Sequence, residues 1–196
     1  MTQSPLISTK YDSKETLRRL RASPDLKEAL AVPAPLGRLS CSRFAPGLPL
    51  GALIHVSGPR RTDALLALLA EHPHLRAAWV EERLTAYPPA FEKRGVDLER
   101  LLFVEARRDF FWALTQVVRS QLFKLVLVAS SLRGEGVSLR QLQLASEHAH
   151  CAVILACDLE GEAWPVRLWL AVDPDGCFSL RRQREPYPAE GLRASA

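Results

Sequence analysis

The run Ser57-Gly58-Pro59-Arg60-Arg61-Thr62-Asp63-Ala64-Leu65-Leu66 follows a short apolar stretch and leads into a leucine-rich helical pattern. A glycine turn in that position can cradle phosphate through its backbone N–H groups. Such a loop also needs a lysine to neutralise the β/γ charge and a Ser or Thr hydroxyl to hold Mg²⁺. Here Gly58 and Pro59 are followed by Arg60, Arg61, Thr62 and Asp63, with no Gly-Lys-Ser/Thr run. Asp63 adds negative charge where phosphate oxygens would lie. Two readings stay open: Arg60 and Arg61 bind phosphate without a lysine, or they are a solvated loop or partner contacts.

Other reactive residues are more scattered. His72-Pro73-His74 has two metal-ligand side chains but no evident third, and its proline breaks a helix, so a surface turn is the expectation. His148 and His150 flank a helix end, where a histidine meets the negative end of the helix dipole. Ser130-Ser131 lacks the G-x-S-x-G elbow of a nucleophilic serine. Cys41, Cys151, Cys157 and Cys177 form no C-x-x-C pair and read as reduced thiols. No metal or cofactor is expected.

The elements that must hold these groups follow from hydrophobic pattern. The 196 residues are 47% hydrophobic and 24% charged, with a formal net charge of +4, the balance of an ordinary globular domain with a real core. No secretory signal is evident, and no apolar run nears the ~18 residues of a membrane span, so a cytoplasmic location is expected. Continuous apolar runs at Ala52–Val56, Ala77–Val80, Leu101–Val104, Leu125–Ala129 and Ala152–Cys157 predict parallel strands covered on both faces. Helices are predicted between them over Thr62–Glu71, over Asp109–Gln121 with an Asp109 cap, and over Ser138–His148. The last opens with a Ser138-x-x-Gln141 capping box and aligns Leu139, Leu142, Ala145 and Ala149 on one stripe. Val166–Val172, the turn Asp173-Pro174-Asp175-Gly176 and Cys177–Arg182 predict a β-hairpin. Strand alternating with helix gives an α/β fold with a mainly parallel sheet and a C-terminal antiparallel hairpin.

Residues 1–40 have too few apolar positions for a core of their own. They read as an arm, with helices over Asp12–Arg21 and Asp25–Leu30 and a linker over Ala31–Ser40. Residues 41–185 form the core domain, and 186–196 read as a disordered tail.

The order of elements resembles the RecA family. The match is carried by Pro46–Pro59, Trp79–Phe103 with its Gly95-Val96-Asp97 and Leu101-Leu102 junction, Leu125–Leu132, and the closing hairpin Arg167–Glu185. Together these span about 140 residues in the family's order. The resemblance implies three catalytic positions, and none carries its residue. The phosphate-loop lysine is missing. The Walker B aspartate falls at Ala129. The glutamate that orients the attacking water falls at Arg83; Glu81 and Glu82 are nearby, but a carboxylate one residue off on a strand end faces the other way. Loss of all three implies a core without ATPase activity.

The loops by which the family binds single strands are also reduced, to Ser130–Ser138 and Asp158–Pro165. The second carries Asp158, Glu160 and Glu162, with Trp164 the only aromatic in either, so direct DNA binding is expected to be weak or absent. Within the superfamily, Ser138–Asp158, Leu48–Leu53 and Phe111–Leu114 are similar to ImuA proteins. That resemblance implies a non-enzymatic mutasome accessory factor in damage-induced translesion synthesis. Its implied partners are RecA, an ImuB-like Y-family polymerase homologue and an error-prone C-family DNA polymerase. SulA-type division inhibitors and a weak residual nucleotide-binding protein are the alternatives.

Partner contacts are expected at three places. Leu17, Arg18, Leu20 and Arg21 form a basic amphipathic patch on the arm, fit for binding RecA or for self-association. Phe110, Phe111 and Trp112 cannot all face inward on one helix, so at least one is exposed. Arg181, Arg182 and Arg184 make a second basic cluster.

Overall fold

The computed structural model describes residues 37–130, 136–157, 159 and 165–184, with backbone alone at 136–138. The predicted arm helices, the patch at Leu17, Arg18, Leu20 and Arg21, the acidic loop residues Asp158, Glu160 and Glu162, and the tail from 186 lie outside the described residues.

A seven-stranded sheet forms the frame. Its strands are β3 (Ala52–Ser57), β4 (Ala77–Glu81), β5 (Leu101–Glu105), β6 (Leu125–Val128), β7 (Ala152–Leu155), β8 (Val166–Val172) and β9 (Phe178–Gln183). They lie in the order β5-β4-β6-β7-β3-β8-β9. Every neighbouring pair is parallel except β8–β9, the antiparallel hairpin expected at the C-terminal end. The apolar runs become strands because helices shield both faces. Leu125–Val128 and Ala152–Leu155 are buried at every residue, which a sheet open on one side would not allow.

Helices α1 (Arg61–Glu71) and α2 (Pro88–Glu92) pack on one face, where Leu65, Leu68 and Phe91 meet Ile54, Trp79 and Leu127. Helices α3 (Phe110–Arg119) and α4 (Gly136–Ala149) cover the other. There Leu114, Val118 and the stripe Leu139, Leu142, Ala145 and Ala149 meet Val80, Val126 and Val153.

Several local expectations change. Strand β1 (Arg38–Leu39), read from sequence as the end of a linker, pairs antiparallel with β2 (Leu48–Pro49), and Leu39 packs into the core. Two-residue strands are too short to leave a periodic signal. Helix α4 starts at Gly136, so Ser138 falls inside its first turn and the proposed capping box is not the cap. Asp109 precedes α3 as expected but makes no side-chain capping bond, because a 3₁₀ turn over Arg107–Asp109 already leads into the helix.

The Gly95-Val96-Asp97 junction has a clear physical role. Gly95 takes a φ of 82° at the end of α2, Val96 is buried, and Asp97 Oδ1 accepts the Glu99 N–H at 2.9 Å. The bond caps the 3₁₀ turn Leu98–Arg100 and delivers the chain to β5.

One buried amide ties helix to sheet. Between Leu53 and Ile54 the pairing of β3 with β8 shifts register. There Gln143 of α4 accepts the Leu53 N–H at 2.9 Å and donates to the Gly51 carbonyl at 3.0 Å. The extra residue at the shift, Arg167, lies on β8, and Gln143 meets backbone groups at the start of β3 beside it.

Candidate functional site

Gly58, Pro59 and Arg60 alone join β3 to α1, since the strand ends at Ser57 and the helix begins at Arg61. Gly58 holds a φ of 110°, and a Cβ there would sit 2.9 Å from the Val172 carbonyl oxygen of β8. The glycine is therefore required by the backbone packed behind it. Arg60 donates from Nη1 to the Pro174 carbonyl at 2.7 Å, fastening the turn to the hairpin. Its Nε also lies 3.8 Å from Asp63 Oδ2, while Arg94 from the end of α2 pairs with Asp63 Oδ1 at 2.9 Å. Asp63 thus sits in the first turn of α1 between two guanidiniums. The turn is short and closed, and its first cation is engaged by the protein itself.

The other two positions aligned with catalytic carboxylates lie along the same strand ends. Ala129 follows β6 and donates its N–H to Val80 at 3.1 Å. Beside it, the Ser130 hydroxyl accepts the Glu82 N–H at 2.6 Å, so this serine orders a loop. Arg83 lies just past β4 and is exposed, whereas Glu81 is 3% exposed. Glu81 accepts from Trp79 Nε1 at 2.9 Å, from the Ala86 N–H at 3.1 Å, and from Thr85 through both its N–H and its hydroxyl. Its carboxylate is surrounded by donors that fold the loop after β4. It points inward, at the last residue of β4, while Arg83 lies beyond the strand and is exposed.

Arg83 shares an open cleft of about 440 Å³ with Glu82, Leu84, Glu105, Arg107 and Arg108. The cleft lies at the carboxyl ends of β4 and its neighbour, the edge strand β5. Of these residues, Arg83 stands at the position expected of a catalytic glutamate, whereas Arg107 and Arg108 belong to no motif in the sequence. The signal for the cleft was the continuous pair of arginines just beyond a predicted strand.

Of the remaining candidates, Trp112 is 68% exposed on α3, while Phe111 packs against the core, edge-to-face with Phe110 at 5.8 Å. Arg182 and Arg184 of the hairpin stand over the Trp169 ring at 5.8 and 5.1 Å, whereas Arg181 is exposed without ring contact. These groups do not converge with the 58–63 turn on one site. His72 Nε2 is hydrogen-bonded to the Ser40 carbonyl at 2.8 Å, consistent with a turn residue. Among the described residues no helix is long and apolar enough to cross a membrane.

No protein-family model matches the chain, and no curated protein matches it. Among solved structures, the chain is similar to SulA from Pseudomonas aeruginosa, with a TM-score of 0.44 and 17% identity over 55% of this chain and 97% of SulA.

Proposed function

We propose that this protein is a non-catalytic RecA-like adaptor of the ImuA type, acting in damage-induced translesion synthesis by binding RecA and an ImuB-like polymerase homologue. The observation that supports this reading is the closed turn at Gly58–Arg60. A phosphate cradle needs several free N–H groups around an open space and cationic charge facing the ligand. Here three residues bridge strand and helix, the near side is filled by Val172, and Arg60 is bonded to Pro174. Asp63 adds an anion to the helix end that would receive phosphate. With the remnant turn serving as a structural corner, function passes to contact surfaces.

The test is binding of the full chain to RecA, measured by size exclusion and by co-sedimentation with preformed filaments, alongside calorimetry with ATP and Mg²⁺. The arm is tested with Leu17→Asp and Leu20→Asp in the full chain, because truncation at residue 40 would remove Leu39 from the core. Binding to RecA with no heat from ATP supports the adaptor. Absence of RecA binding defeats it, and capture of a tubulin-like polymer would then favour a SulA-type inhibitor. Micromolar ATP binding abolished by Arg60→Ala with Arg61→Ala would instead establish a residual nucleotide site.

A further inference from the structure

We infer that the cleft between the β4 and β5 loops is a docking site for an acidic, partly apolar peptide segment of a partner protein, held by Arg83 and Arg108. This rests on the adaptor reading and names the surface and the chemistry it would use.

The two loops are fixed relative to one another. Strands β4 and β5 run in register to Glu81 and Glu105, and the ladder continues beyond them. Ala106 donates to the Glu81 carbonyl and Arg107 to the Glu82 carbonyl, both at 2.9 Å. Arg107 then takes a φ of 41°, a left-handed conformation that disfavours a residue with a Cβ. Such strain persists where the surroundings impose it, and it clusters at binding sites. The reversal leaves Arg107 bonded through Nε to Glu105 Oε1 at 2.8 Å. Arg107 and Glu105 thereby neutralise each other.

Arg83 and Arg108 are left. Among the described residues neither makes a hydrogen bond or an ion pair, and both line the cleft. A guanidinium is a planar fork that matches a carboxylate with two parallel hydrogen bonds. Two such forks on separate, mutually tied loops can hold carboxylates spaced along one chain. Leu84, 40% exposed on the same wall, offers an apolar contact between them.

The lining also indicates which polyanions fit poorly. Three arginines against Glu82 and Glu105 leave a surplus of a single positive charge. That surplus is small for a phosphodiester backbone, whose binding depends on many uncompensated cations. A peptide carrying carboxylates beside apolar side chains suits the modest surplus and the exposed leucine.

The experiment uses the full chain and a fluorescein-labelled peptide of alternating acidic and leucine residues, followed by anisotropy at low salt. The wild type, Arg83→Glu, Arg108→Glu and the double variant are compared with Arg181→Glu, which alters the other basic cluster. Both cleft arginines are exposed, and circular dichroism melting checks that each variant stays folded. We expect about fivefold weaker binding for either single reversal and about twentyfold for the pair. Arg83→Lys with Arg108→Lys should fall between wild type and the double reversal, because the charge remains while the fork is lost. Equal affinity in wild type and double variant overturns the inference, as does displacement by equimolar inorganic phosphate, which would mark a phosphate site. RecA binding that persists unchanged in the double variant, with no peptide binding, defeats the cleft but leaves the adaptor standing. Peptide binding lost in the double variant, with no RecA binding in any form, supports the cleft and defeats the assigned partner.

Discussion

Gln143→Leu gives the sharpest test of how the frame is held. The side chain is 3% exposed, and leucine nearly matches its volume, so packing changes little. What changes is the hydrogen bonding. Gln143 accepts from Leu53 N–H at 2.9 Å and donates to the Gly51 carbonyl at 3.0 Å, both at the start of β3. With leucine there, a buried donor and a buried acceptor lose this partner. Each such loss costs about 1–3 kcal/mol, partly offset by the more apolar side chain, so we expect a net loss of about 3 kcal/mol. For a chain of this size that corresponds to a melting point lower by about 6–12 °C. Urea denaturation followed by circular dichroism should show a lower midpoint with an unchanged slope. The companion variant Glu147→Gln touches the outer part of the same cluster, where Glu147 pairs with Arg167 and accepts from Gln143 Nε2 at 3.0 Å. That pair is about 30% exposed at either end, so the companion should lose about 1 kcal/mol or less. A loss below about 0.5 kcal/mol in Gln143→Leu would refute the reasoning, because the Leu53 N–H and the Gly51 carbonyl would then have found other partners.

Further outcomes follow from the turn and the thiols. Gly58→Ala should lower stability by about 2 kcal/mol or more in the absence of any ligand, since the new Cβ meets the backbone of Val172 and the residue must keep a φ of 110°; a variant as stable as wild type in urea would return this glycine to a ligand-binding role. In native protein one thiol, Cys177, should react with a disulfide reagent, because Cys41, Cys151 and Cys157 are buried. Asp175 beside Cys177 raises its pKa, so Asp175→Asn should speed that reaction at pH 8, and an unchanged rate would discount the carboxylate. Burial pushes Cys151 up to about 11 from 9.0, so its thiol stays neutral in the fold after the unfolded thiol has ionised. Its contribution is therefore complete below about pH 9 and lost as pH rises to about 11, and Cys151→Ala should flatten that alkaline loss in denaturation midpoints.

Strand positions were legible in the sequence because a doubly covered parallel sheet demands unbroken apolar runs. All five such runs, and both hairpin strands, match observed strands to within two residues at either end. The helix stripe at Leu139, Leu142, Ala145 and Ala149 was legible for the same reason, since burial is periodic there. Caps were not. Ser138 satisfies the spacing of a capping box, but the helix begins two residues earlier, and a spacing rule cannot say which turn comes first. The β1–β2 ribbon was hidden in a proline-rich stretch because two paired residues carry no period. The absence of a Gly-Lys-Ser/Thr run after Gly58 was plain in the sequence, but Arg60 bonding to Pro174 spans 114 positions and is fixed only by the sheet order. The β4–β5 cleft shows the same limit. Arg83 and Arg108 are 25 positions apart and become neighbours because parallel strands end at one level.

The contrast between the two groups of arginines bears on where contacts with other molecules should be sought. At the turn, Arg60 and Arg94 converge on Asp63, and Arg60 also reaches the Pro174 carbonyl, so both guanidiniums are already engaged within the fold. At the edge of the sheet, Arg107 is matched by Glu105, while Arg83 and Arg108 face an open cleft. A cation already paired must break a bond to bind a ligand, and that cost subtracts from affinity. A solvated guanidinium on an ordered loop gives up only water and a little side-chain freedom. Within these two groups, the arginines without a partner among the described residues lie at the β4–β5 end of the sheet rather than at the turn after β3. Reversal at Arg83 and Arg108 should therefore weaken partner binding more than reversal at Arg60, whose main effect should be on stability. Equal losses of binding from both places, with both variants fully folded, would contradict this division of roles.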